Sequence, residues 1–132
     1  LAEKIDSFAP QWGELLDKIR ARAPLAEISV VGYGTYFPHN GCWPVVPVSA
    51  EDANYFQDTI GHLDEALARE AAAHGARFVD IRPPSVGHDM CSAPWEKWFE
   101  GLVPTSLAAP LHPNKTGMAA IGGYVASAIN GG

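Results

Sequence analysis

A chain of 132 residues is long enough for one small domain and too short for several. With 47% hydrophobic and 18% charged residues it has the composition of a folded domain rather than a disordered segment. A net charge of −6 without a visible basic face argues against a nucleic-acid partner, and no apolar run approaches the length that spans a bilayer. The chain begins at Leu1, directly in an amphipathic pattern and with no signal-like segment, so a preceding stretch is expected to have been removed by maturation, cleavage or design.

In chain order, Leu1, Ile5, Phe8, Trp12, Leu15 and Ile19 recur on one stripe and predict a helix over 1–22. Pro10 predicts a kink or a fresh helix start within it, and Pro24 stops it after the basic end Lys18–Arg22. Ile28–Tyr33 is short, largely apolar and rich in β-branched residues, and reads as a strand buried on both faces. Residues 34–50 hold three prolines with Cys42, Tyr36, Phe37 and Trp43, the pattern of a long ordered loop. Ser49 then caps a helix whose apolar stripe is Ala53, Phe56, Ile60, Leu63, Leu67 and Ala71, ended by Gly75. Arg77–Ile81 is the second strand. An irregular stretch follows, with Trp95, Trp98 and Phe99 on one helical turn. The last helix covers about 114–129, with Met118, Ile121, Val125 and Ile129 facing inward and Asn130-Gly131-Gly132 fraying.

Alternation of helix and strand predicts a parallel sheet with helices on its faces. Two strands are little sheet for three amphipathic helices, because parallel sheets occur almost only within larger buried ones. Further strands are therefore expected from an N-terminal portion, or from a strand hidden within 34–50 or 83–110.

The segment Leu111-His112-Pro113-Asn114-Lys115-Thr116-Gly117-Met118 carries the chemistry. Pro113 suits a helix opening and Asn114 can cap the first free amides. A histidine on such a turn has a set position and reaches solvent, as a general base must. The alternative is a histidine that only caps the turn. Cys42 and Cys91 lie in Gly/Pro-rich loops and are compatible with a disulfide of an oxidising compartment, or with two buried thiols. His88, Asp89 and Cys91 form one short cluster, too few ligands for a zinc site, so neither metal nor cofactor is expected. Gly32-Tyr33-Gly34 lacks the third glycine and the following helix of a dinucleotide fingerprint. His39, His62 and His74 read as surface residues. Tyr36, Phe37, Trp43, Trp95 and Trp98 either line an apolar pocket or pin loops to the core.

Taken together, six blocks in order resemble the C-terminal half of a secreted SGNH hydrolase, the GDSL esterases and lipases. Ala23-Pro24-Leu25-Ala26-Glu27-Ile28-Ser29-Val30-Val31-Gly32-Tyr33 with Phe37-Pro38 is similar to the segment around one family strand, and Asn54 stands where the family often has Asn. Phe78-Val79-Asp80-Ile81 and Gly87-His88-Asp89-Met90-Cys91 are similar to the next blocks, then Trp95 through Gly101, and last His112-Pro113-Asn114 with Gly117. The resemblance implies an α/β, flavodoxin-like α/β/α sandwich with a parallel sheet, of which residues 1–132 supply the C-terminal part of a single domain. It implies a Cys42–Cys91 disulfide, a secreted ester hydrolase and an acyl-ester substrate, with His112 as general base to a serine. The family's Gly-Asp-Ser nucleophile block and its oxyanion donors have no counterpart among Ser7, Ser29, Ser49, Ser85, Ser92, Ser106 and Ser127. An N-terminal part carrying them is therefore the expected partner, without which the chain alone is inactive. The alternative is a non-catalytic binding or interaction module on the same scaffold. The Asp that many members place three residues before the histidine is Ala109 here. The expected acceptor for the ring is then the main-chain carbonyl of Ala109 or Pro110, with Asp89 or Asp80 as runner-up.

Overall fold

The computed structural model describes residues Leu1–Gly131. Gly132, the end of the stretch expected to fray, lies outside them. The elements are α1 (Ala2–Arg22), β1 (Ser29–Val31), α2 (Ala50–Ala73), β2 (Arg77–Val79), a short α3 (Arg82–Ser85) and α4 (Lys115–Asn130). The described chain falls into two compact units, Leu1–Tyr33 with Thr59–Asp80, and Gly34–Asp58 with the chain from Ile81 onward.

In the first unit β1 and β2 pair in parallel, with Val30 opposite Phe78, and make the only sheet among the described residues. Val31 is 40% exposed, so the expected burial on both faces does not hold for β1. A two-stranded sheet leaves one side of each strand without a neighbour. Val30 shares a small apolar depression with Trp12, Leu16 and Leu67, which brings α1 and α2 over the same strand.

α1 runs unbroken through Pro10, with no fresh start there. Its buried positions are Ala9, Gly13 and Leu16, while Phe8, Leu15 and Ile19 of the predicted stripe are exposed. The seam is built on small residues because α2 comes close. A Cβ on Gly13 would strike His74 and Glu70. Polar pairs then join the two helices at two levels. Asp6 meets His62 at 3.0 Å and Arg69 at 3.2 Å, and Asp17 meets His74 at 2.9 Å. His62 and His74 are thus half-buried links between helices rather than free surface residues.

The second unit pins the expected long loop by its backbone amides. Thr35 N–H donates to Ser85 Oγ (2.8 Å), Tyr36 and Phe37 N–H to Gln57 Oε1 (2.7 and 3.1 Å), and Asn40 N–H to Asn54 Oδ1 (2.8 Å). Such side-chain acceptors replace a sheet ladder, since a buried amide without a partner costs about 1–3 kcal/mol. Tyr36 and Phe37 are core residues here, packed on Phe56, with Tyr36 also against Phe99. Trp43 and Trp95 are 70% and 78% exposed and do not pin the loops to the core. Cys42 and Cys91 are joined in a disulfide.

Residues 95–99 do not form the expected helical turn. Residues 94–96 form a turn closed by Lys97 N–H on Ala93 O (2.9 Å), but Trp98 N–H donates to His88 O (2.7 Å) and Phe99 pairs with Pro113 in an antiparallel bridge, so Trp98 and Phe99 leave that turn. In α4 Gly117 is buried and Ile121 and Val125 are half-buried, while Met118 is 67% exposed and Ile129 40%. Of the predicted inward stripe only its middle is covered.

Candidate active site

The His112 turn is built by main-chain pairing. Glu100 N–H donates to His112 O (3.0 Å), Leu111 N–H to Glu100 O (3.1 Å), and Asn114 N–H to Trp98 O (2.8 Å). Residues 98–100 thus act as a short strand against 111–114. Leu111 and His112 thus both stand opposite Glu100, a bulge of one extra residue, and Leu111 takes it up with φ of 64°. This region strongly disfavours a residue with a Cβ and persists only where the surroundings hold it.

The turn feeds directly into α4. Asn114, 5% exposed, accepts the Gly117 N–H at Oδ1 (2.9 Å), which is the expected N-cap. Its amide group donates in turn to Lys97 O (2.9 Å) and Glu100 Oε1 (3.0 Å). Gly117 is required by close approach, since a Cβ there would overlap the Trp98 carbonyl. The histidine block therefore places one residue to cap, one to pair and one to pack, all against 97–100.

The His112 ring is exposed and its Nδ1 lies 2.8 Å from the Pro110 carbonyl oxygen. A carbonyl can only accept, so Nδ1 carries the proton and the neutral ring presents its lone pair at Nε2. The acceptor is one of the two main-chain carbonyls expected, and neither Asp89 nor Asp80 takes that role. Asp89 instead accepts the Cys91 N–H at 2.9 Å. Burial pushes its carboxyl above the ordinary value, and that backbone bond opposes the rise.

The His88 ring is stacked on Trp98 with centroids 4.5 Å apart, and its Nδ1 lies 2.7 Å from Glu96 O. A depression of about 290 Å³ in the first unit is lined by Arg20, Glu27, Ile28 and Arg77 among others and includes no residue of the His112 turn. Arg20 spends its guanidinium on the carbonyls of Ala26 and Gly75.

Glu100 was not among the sequence candidates. Its side chain is fully buried, and its carboxylate accepts from Thr105 N–H (2.7 Å), Thr105 Oγ1 (3.1 Å), Ser106 Oγ (2.7 Å) and the Asn114 amide. Burial alone would push its carboxyl up, but these hydrogen bonds to the ionised form outweigh it and hold the group down at about 2, from an ordinary 4.5. The sequence signal was a lone Glu before an uncharged stretch, 101–111, holding Thr105-Ser106. With the folded pKa below the unfolded one, ionised Glu100 stabilises the fold above about pH 4.5, and that contribution is lost as pH falls toward 2. Acid unfolding followed by circular dichroism should show a shallower loss of stability between those values in Glu100→Gln than in the parent.

Residues 2–120 match the GDSL-like Lipase/Acylhydrolase family. The chain belongs to this family. Lipase 2 of Streptomyces coelicolor is 37% identical over 111 residues, which are 82% of this chain and 38% of that protein. Lipase 1 of the same organism is 29% identical over 122 residues, 92% of this chain and 43% of that protein. The chain thus spans less than half the length of these relatives. Among solved structures it is similar to phospholipase A1 from Streptomyces albidoflavus NA297, with a TM-score of 0.79 at 22% identity over 92% of this chain and 53% of that one. It is similar also to the extracellular lipase of Streptomyces rimosus, with a TM-score of 0.80 at 23% identity over 96% of this chain and 56% of that one. These likenesses give this GDSL-family chain the α/β fold expected from its sequence, with the β1–β2 pair as the part of the parallel sheet that it contributes. The GDSL family is one of ester hydrolases.

Proposed function

We propose that this chain is the histidine-bearing, C-terminal part of a single-domain secreted ester hydrolase, with His112 as general base. The observation that carries the reading is the Nδ1 contact to Pro110 O, which leaves Nε2 as the free acceptor on an exposed ring. In this reading Nε2 removes the proton of a serine hydroxyl as its oxygen bonds to the ester carbonyl carbon. The resulting imidazolium returns that proton to the departing alcohol, and water then releases the acid from the acyl-serine by the same two transfers. The serine and the oxyanion donors come from the N-terminal part. The pairing is a Ser–His dyad, oriented by a main-chain carbonyl in place of a carboxylate.

The partial coverage of these relatives supports an enzyme completed by further sequence. The names of these relatives, lipases and a phospholipase A1, support a lipid ester as substrate. The Cys42–Cys91 disulfide is in keeping with an extracytoplasmic location.

The purified 132-residue chain should hydrolyse p-nitrophenyl esters no faster than buffer. The intact protein should turn them over and be silenced by a fluorophosphonate. Turnover by the short chain alone, abolished by the same reagent, would overturn the division of labour proposed here.

A further inference from the structure

We propose that Glu100 is a positioning residue for His112, its buried carboxylate fixing the loop 100–114 so that the turn bearing the imidazole cannot relax. The inference rests on the reading of His112 as general base and extends it to a side chain that never meets substrate.

Glu100 is fully buried yet forms no ion pair among the described residues. A buried anion without a cation is costly, and an apolar side chain of similar size would serve packing better. The charge is tolerated because four neutral donors converge on it, and all four belong to the loop and the turn. Charge-assisted bonds of this kind are roughly twice as strong as neutral ones.

The same residue grips the turn at two other points, where its N–H and C=O pair with His112 and Leu111. The Asn114 that donates to its carboxylate carries the hold on to the cap of α4. Leu111 lies between the two main-chain bonds in its left-handed conformation. Left to itself it would return to a negative φ and swing both the Pro110 carbonyl and the ring that depends on it. The stretch 101–111 offers no other charged group that could hold it, and Leu102, Val103 and Leu107 are all exposed. The carboxylate thus takes the place of a hydrophobic anchor for this loop, and it does so beside the histidine.

The experiment uses the intact protein and a soluble p-nitrophenyl ester, with kcat, KM and the rate of fluorophosphonate labelling measured for Glu100→Gln and Ser106→Ala. Thermal unfolding checks that each variant is folded at the assay temperature. Glu100→Gln should lower kcat roughly 10- to 100-fold with KM within about twofold, and labelling should slow by the same factor, because the nucleophile is activated less often. Ser106→Ala removes one donor and keeps the carboxylate, and should lower kcat about 3- to 10-fold at unchanged KM. A folded Glu100→Gln protein with kcat within twofold of the parent overturns the proposal, as does a change confined to KM. Should Glu100→Gln fail to fold, Ser106→Ala decides alone, and unchanged kcat overturns it. His112→Ala separates the two readings. If it retains turnover, the general-base assignment has failed. If it is inactive while folded Glu100→Gln is not impaired, the positioning role alone has failed.

Discussion

His112→Ala in the intact enzyme should reduce kcat by roughly 10²- to 10⁴-fold, the usual weight of a positioned general base. KM should change little, because the imidazole acts on the serine proton and not on the acyl chain. Stability should change by no more than about 0.5 kcal/mol, the range of exposed substitutions. The ring is exposed and its one side-chain hydrogen bond goes to Pro110 O, two residues away. A His112→Ala protein with near-parent kcat contradicts the assignment.

The sequence reveals the part of this site that is local and hides the part that is tertiary. His112, Pro113, Asn114 and Gly117 are legible because cap, helix opening and close packing each demand a residue type at a fixed offset. The acceptor of the imidazole is legible as a main-chain group only because Ala109 leaves no carboxylate nearby. Glu100 is barely legible, since the uncharged stretch that follows it is its one mark and does not say that the side chain is buried. Its donors come from five and six residues downstream and from Asn114 across the turn.

The same division holds for the fold. The stripes of α2 and the β-branched strands announce themselves by period, whereas the buried seam of α1 does not. A scale that counts large apolar residues selects Phe8, Leu15 and Ile19, but the buried positions include Ala9 and Gly13, and at Gly13 the close approach of Glu70 makes smallness the property that matters. Trp98 and Phe99 leave the turn before them because His88 and Pro113 pair with them, and neither partner can be inferred from a window around residue 98.

Removing the disulfide, by Cys42→Ala with Cys91→Ala or by reduction, should destabilise the intact enzyme by roughly 4 kcal/mol in the chain-entropy account. The bond closes a loop of 49 residues in separation, and its absence frees that loop in the unfolded chain. The folded loop has other ties that survive reduction. Asn40 and Asn54 exchange two hydrogen bonds, Gln57 holds Tyr36 and Phe37, and Met90 N–H donates to Tyr36 O at 3.0 Å. The native geometry should therefore persist below the unfolding transition. The turn bearing His112 is bonded to 97–100 rather than to either cysteine loop, so kcat should stay within about twofold once the variant is assayed cold. Urea unfolding with and without reductant, paired with esterase turnover, separates the two effects. A large drop in kcat with little change in the unfolding midpoint would mean that the disulfide shapes the site instead of restraining the unfolded chain.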